Sequence, residues 1–386
     1  MRYRYSTEEN GKIVKAAAVY TENEHNINPA DVDSEATGIV QRLKDAGHET
    51  YIVGGAVRDL ILGKKPKDFD IASDASPTRI KKLFRNSRII GRRFRLVHVY
   101  FGPRIFEVST FRSLKDGSSG NTYGTIKDDV MRRDFTMNAL FYDPGQRIVI
   151  DYVGGMKDIR EKKVKPIIPL AEIFIDDPVR MIRAVKYAAA ADFTLPLRVR
   201  WKIKKHSSLL SSISSSRLTE EIIKILHSPQ AAAIVDALDR MGLYCYLQPG
   251  AAKLMRENPG FRQRYLGSLA ALNQEDFKNL PGEALGALVN DYLEDKADWE
   301  QGVAENFKII FTAARSFVSP INPPRYQMDH AIRRFFAAHG ITIKKSFFME
   351  RAKPQVHESE VHAESKPHRR RRRRKPGNTD NVSTPE

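Results

Sequence analysis

The chain has 386 residues, a formal net charge of +17, a single cysteine and 41% hydrophobic residues, an ordinary apolar fraction for a soluble protein with length enough for two or more domains. Cys245 alone excludes an internal disulfide framework or a cysteine-rich zinc module and fits a reducing, cytoplasmic setting. No apolar run approaches the roughly eighteen residues that cross a bilayer, so no membrane partner is expected, and the basic excess favours a polyanion, with nucleic acid first.

Residues 1–35 are polar and weakly patterned and read as a variable, loosely attached lead without an assigned role. Helical spacing then covers Ala36–Ala46, and His48–Val53 reads as a short strand. Gly54-Gly55 follows, and Ala56–Leu62 has the apolar spacing of a helix closed by Gly63. Two adjacent residues without Cβ let backbone N–H groups approach phosphate oxygens, and a helix N-terminus adds partial positive charge. In Lys67–Ala72 the strand period sends Asp68 and Asp70 to one side and Phe69 and Ile71 into the core. Two carboxylates on one face suit divalent cations, although a solvated acidic strand face has the same pattern. Lys64, Lys65 and Lys67 lie between the two features, where a triphosphate would meet them.

Ser76-Pro77 makes a cap and first position for a helix over Thr78–Phe84, and Arg95–Phe101 and Ile105–Thr110 alternate like hairpin strands. Ser, Gly and Asp dominate from Arg112 to Lys127 and predict a mobile loop beside the site. Beyond Pro178 the spacing turns helical over Val179–Ala190, Arg198–Leu210, Leu218–Leu226 and Ala231–Met241, and 253–345 keep that character. From about Arg351 the sequence is polar and charged and ends near a run of seven cations, which predicts a disordered tail. About ten positive charges remain without that run, so body and tail are both basic.

Five blocks stand in order: Gly54-Gly55-Ala56-Val57-Arg58-Asp59, Asp68-Phe69-Asp70, Arg132-Arg133-Asp134-Phe135-Thr136-Met137-Asn138-Ala139, Asp151-Tyr152-Val153-Gly154-Gly155, and Asp177-Pro178-Val179-Arg180-Met181-Ile182-Arg183-Ala184. This set resembles the class II nucleotidyltransferases of the poly(A) polymerase and tRNA CCA-adding family. The likeness covers roughly residues 50 to 245. Ile90–Val99 and the arginine run look like the bacterial poly(A) polymerase branch.

The resemblance implies an α/β (α+β) nucleotidyltransferase head with a mixed sheet over 36–155, a helical nucleotide- and RNA-binding region over 156–250, a helical body over 251–345 and a disordered Arg-rich tail over 346–386. It implies Asp68 and Asp70 as catalytic acids holding two Mg2+ ions, and Asp134 as a third active-site acid or a ribose contact; an ion pair of Asp134 with Arg132 or Arg133 is the structural alternative. Gly54, Gly55, Arg58, Asp134, Asp177, Arg180 and Arg183 form the implied nucleotide site, with Asp177 and Arg180 reading the base. Asp177 before Pro178 also has the form of a helix cap, and Asp176 stands where the family usually has Glu. Arg92, Arg93, Arg369, Arg370, Arg371, Arg372, Arg373, Arg374 and Lys375 are the candidate RNA contacts, a solvated basic face being the alternative for Arg92 and Arg93. His98, between apolar neighbours on a strand, reads as packing. The implied function is template-independent addition of AMP from ATP to RNA 3′ ends in the cytoplasm. CCA addition to tRNA and RNA binding without turnover are its alternatives.

Overall fold

The computed structural model describes residues 2–7, 11–91, 95–113, 122–272 and 282–343. Among the described residues nine strands form one sheet: β1 (Arg2–Thr7), β2 (Ile13–Tyr20), β3 (Thr50–Val53), β4 (Asp70–Ser73), β5 (Ser87–Ile90), β6 (Leu96–Phe101), β7 (Arg104–Thr110), β8 (Leu140–Asp143) and β9 (Ile148–Asp151). Their order is β1-β2-β9-β8-β3-β4-β7-β6-β5. Only β4 and β7 run parallel, so the sheet is mixed as expected. β3 and β8 are buried at every position, and both occupy the middle of the sheet. Runs without polar alternation suit strands covered on both faces.

The first residues are a correction to the sequence reading, because they are part of the sheet rather than a loose lead. β1 pairs with β2, and β2 pairs with β9 through Ala18 opposite Asp151. An edge strand is paired on one side only, so β1 keeps exposed positions and reads as polar, whereas Ala17, Val19 and Tyr20 of β2 are buried. Asp33 then caps the Ser34–Asp45 helix, accepting from the N–H groups of Glu35 and Ala36 at 2.9 and 3.0 Å.

Most other expected elements are present. The Pro77–Leu83 helix starts on a Ser76 hydroxyl that accepts from Arg79 N–H at 3.3 Å, and β6 and β7 form the expected hairpin. Helices follow at Val179–Ala191, Leu197–His206, Ser215–Leu226 and Ala231–Arg240, and five longer ones continue from Pro249 to Ala338. In the segment expected to be a mobile loop, residues 114–121 lie outside the described residues. At its flanks Arg112 bridges to Tyr123, and Thr125 caps a helix over Ile126–Met131. Arg92, Arg93, and the arginine run with the whole 346–386 tail also lie outside the described residues. Among the described residues no helix is long and apolar enough to cross a membrane.

The block Asp151–Gly155 serves the fold. Asp151 accepts from the N–H groups of Val153, Gly154, Gly155 and Met156 at 2.8 to 3.0 Å and so caps the Gly155–Arg160 helix. A Cβ on Gly155 would stand 2.3 Å from the Thr136 carbonyl oxygen, so only glycine lets this helix lie against the turn that follows Asp134.

Candidate active site

β3 ends at Val53, which is paired with Asp70 on one side and with Phe141 on the other. The glycine turn therefore begins beside the first residue of β4. A Cβ on Gly54 would lie 3.8 Å from Asp70 Oδ2 and 3.7 Å from Arg133 Nη1, and Gly54 has φ +74°. The positive φ of the turn favours glycine there, and the distances place the turn in contact range of the acid.

β4 begins at Asp70, so Asp68 lies in the approach to the strand rather than on it. The alternation still holds: Phe69 and Ile71 are buried, and Asp68 and Asp70 face outward. Glu107, which the sequence reading missed, joins them because β7 runs parallel to β4 with Val108 opposite Ile71. Its signal in the sequence was the exposed parity of the predicted second hairpin strand. Asp70 keeps solvent contact but is walled by protein; burial first and Glu107 second push its carboxyl up to about 6, with Arg133 opposing and Asp68 adding to the rise. Oxygen-only donors carrying excess negative charge fit a hard divalent cation, which accepts one or two protein carboxylates and completes its shell with water and phosphate. Among the described residues no group of three or more His, Cys, Asp or Glu is arranged to hold a metal by itself.

Arg58 sits one helical turn beyond the glycines. It donates to Asp59 Oδ1 and to Asn138 Oδ1, each at 2.8 Å, and its guanidinium lies 5.6 Å from the Tyr187 ring centroid. Arg133 donates to the Asn138 carbonyl at 3.0 Å. Asn138 thus ties the glycine block to the third block, a link the sequence did not disclose.

The structure decides the Asp134 alternative against a pairing with its neighbours. Arg132 and Arg133 both pair with buried Asp129, at 2.5 and 2.9 Å. Burial works to raise the Asp129 carboxyl, and Arg133 with Arg132 overcomes it and holds the group below the usual carboxylate range. Helical spacing brings these arginines back over Asp129 at i+3 and i+4. Asp134 instead accepts from Phe135 N–H at 2.8 Å, with its other oxygen 4.0 Å from Arg183 Nη1. Arg183 is fixed by Glu221 at 2.8 Å, and Lys186 donates to the same carboxylate at 2.6 Å.

Asp177 performs the capping role, accepting from Val179 N–H at 3.2 Å. A single Arg217 nitrogen, Nη2, also donates to both oxygens of its carboxylate, at 2.9 and 2.8 Å. Arg180 feels the Asp177 charge, but it is buried, with Nη1 3.4 Å from the Ile173 carbonyl oxygen. Arg217 was not singled out in the sequence because it lies forty residues away on another helix.

A cavity of about 570 Å³ opens between the Arg58–Lys67 segment and the helices carrying Tyr187 and Lys224. Lys64, Lys65 and Lys67 line it as the sequence suggested, with Lys64 and Lys67 donating only weakly to the carbonyls of Ala190 and His227. Lys224 acts on Asp70, and Asp68 acts on His227, so the basic cavity borders the acids.

The first half of the chain thus joins a mixed sheet, a glycine turn and outward acids. Residues 50–165 match the family described as "Poly A polymerase head domain", and residues 192–255 match "Probable RNA and SrmB- binding site of polymerase A". Two segments of the chain thus match models that belong to poly(A) polymerases. Poly(A) polymerase I of Salmonella typhi is 40% identical over 251 residues, 61% of this chain and 54% of that protein. The CCA-adding enzyme of Geobacillus kaustophilus is 35% identical over 240 residues, 60% and 59% of the two chains. The match spans little more than half the length of these relatives. Among solved structures, the Bacillus stearothermophilus CCA-adding enzyme in complex with CTP superposes with a TM-score of 0.53 at 28% identity, over 80% of this chain and 82% of that one. The Thermotoga maritima CCA-adding enzyme complexed with tRNA_CCA has a TM-score of 0.51 at 19% identity, over 83% and 85%, a likeness of fold.

Proposed function

We propose that the chain is a template-independent RNA nucleotidyltransferase that transfers AMP from ATP to the 3′-hydroxyl of RNA and releases pyrophosphate. The observation that carries this reading is the pairing of Val53 with Asp70, which sets a phosphate-accommodating turn against an acid whose carboxyl is raised to about 6. Asp68 and Asp70 are the residues that would hold two Mg2+ ions. When bound, such ions lower the pKa of an attacking hydroxyl and stabilise charge on the α- and leaving phosphates. Gly54 and Gly55 admit the phosphates, and Arg58 with the cavity lysines offsets their charge. Asp134 serves as a third active-site acid or as the ribose contact. Asp177 accepts from the adenine N6 amino group, with Arg180 and Arg183 on the same helix. The new bond joins the RNA 3′ oxygen to the α-phosphorus as the bond from that phosphorus to the pyrophosphate oxygen breaks.

In this reading 36–155 is the catalytic head, 156–250 binds nucleotide and RNA, 251–345 is a helical body, and the Arg369–Lys375 run is an RNA-binding arm. A cytoplasmic location accords with the lone cysteine. The higher identity to poly(A) polymerase I than to the CCA-adding enzyme named above supports polyadenylation. CCA addition is the second reading, favoured by the superposition on a CCA-adding enzyme over four-fifths of the chain. Purified protein given an unstructured RNA should add many residues from ATP and few or none from CTP. A tRNA lacking its CCA end, offered both nucleotides, is the control. Growth by two cytidines and one adenosine, with the unstructured RNA ignored, would replace the first reading by the second.

A further inference from the structure

The Leu197–His206 helix carries Arg198, Arg200, Lys202, Lys204 and Lys205 and no acid. Val199 and Ile203, four residues apart, are its buried side chains and fix which face is packed. The outward face presents Leu197, Trp201 and Lys205 at successive i, i+4 positions, with Leu197 79% and Trp201 58% exposed. Lys205 Nζ lies 5.2 Å and Lys202 Nζ 5.7 Å from the indole centroid. Among the described residues none of the five cations has a carboxylate within ion-pair distance. A large aromatic ring left in water and ringed by unopposed cations is the composition of a single-strand stacking platform, on which any base finds a π face and the flanking charges meet phosphates.

We propose that this face binds single-stranded RNA, with one base stacked on Trp201 and Arg198, Lys204 and Lys205 on the adjoining phosphates. The proposal rests on the reading of RNA as substrate and names where the strand lies outside the acidic centre. From Leu197 to Lys205 the face runs about 12 Å at 1.5 Å per residue, long enough for a short stretch of strand. Charge favours RNA over a lipid surface. The apolar part is two side chains wide, whereas an interfacial helix lays a continuous apolar face into the bilayer.

The test uses the full chain with Trp299→Phe, which leaves Trp201 as the sole tryptophan of the two. Titration with a twenty-nucleotide oligo(A), without ATP or metal, should quench Trp201 emission. Trp201→Ala should weaken binding roughly tenfold, as expected for loss of one stacked base, and Trp201→Phe should restore most of it. Charge reversal at Lys204 and Lys205 should lower the salt slope by about 1.4, at 0.7 for each single-strand phosphate contact. Trp299 stacks on Phe335 and His339. Should its replacement disturb folding, the quench is read instead as the difference between the parent and Trp201→Phe. Absence of quenching, or equal affinity of Trp201→Ala and the parent, overturns the proposal. So does a blue shift with phosphatidylserine vesicles and none with oligo(A). Because no turnover is needed, quenching without RNA extension would refute the enzymatic reading alone, and extension without quenching would refute the Trp201 platform alone.

Discussion

Two carboxylates in opposite electrostatic surroundings separate the sheet from the helices. At the mouth of β4, burial first and the charges of Glu107 and Asp68 push the Asp70 carboxyl up to about 6, with Arg133 and Lys224 opposing the rise. In the helical region Glu221 lies between Arg183 and Lys186. Burial alone would raise it, yet the two cations bring it down to about 2. Acids gathered with too few cations mark a place that gains from a bound cation; an acid matched by buried cations holds the protein together.

The largest expected effect comes from breaking the first of these. Asp70→Asn removes a carboxylate from the acidic mouth and should reduce ATP-dependent RNA extension about a thousandfold or more, the scale of several kcal/mol of charge stabilisation. Stability should move the other way. The folded carboxyl titrates near 6 against an ordinary value of 3.8, so ionising it costs stability above pH 6 and nothing below pH 3.8. Metal-free Asp70→Asn should therefore melt no lower than the parent at pH 8 and at the same temperature at pH 3.5. A large loss of stability at pH 8 would make Asp70 structural.

Glu221→Gln tests the opposite case. It leaves Lys186 and Arg183 without their counter-charge, and removal of one member of a buried ion pair costs about 3 kcal/mol. The sign in pH is also opposite. With a folded value near 2 and an ordinary value of 4.5, the parent keeps this contribution above pH 4.5 and loses it as pH falls toward 2. Urea unfolding at pH 7 and at pH 3 should show the gap between parent and variant narrowing at the lower pH. A constant gap would remove Glu221 from the acid sensitivity of the fold.

The comparison also explains what could be read in advance. Asp68, Phe69, Asp70 and Ile71 were legible because a strand repeats every two residues, and the repeat survived even though β4 starts only at Asp70. Ser76 and the cap it makes are equally local. Glu107, Asn138 and Arg217 reach the site through strand order or helix packing, and nothing within a few residues of each announces its partner. Asp129 was within reach, three and four residues before the arginines it holds, but Asp134 stands next to those arginines in sequence and drew the expectation instead. β1 and β2 were missed because an edge hairpin with one face in water has the composition of a loop.

Arg217 is where the sheet's logic and the helices' logic meet, and its removal should have the smallest effect of the three. An ionised carboxylate offers about four acceptor positions. At Asp177 the Val179 N–H takes one and Arg217 Nη2, bridging the two oxygens, takes two, so about one remains for the amino group of an incoming base. If Arg217 aims that last position, Arg217→Ala should raise KM for ATP by roughly tenfold, the value of one well-placed charge-assisted hydrogen bond, and should narrow the preference for ATP over CTP. Arg217→Lys keeps a single cationic nitrogen able to bridge the two oxygens and should recover most of the preference. If Asp177 is a cap and nothing more, both variants will lose a little thermal stability while KM and nucleotide preference stay at parental values. Steady-state extension with each nucleotide in turn, run beside a melting curve, tells whether Asp177 belongs with the acids that act on substrate or with Glu221.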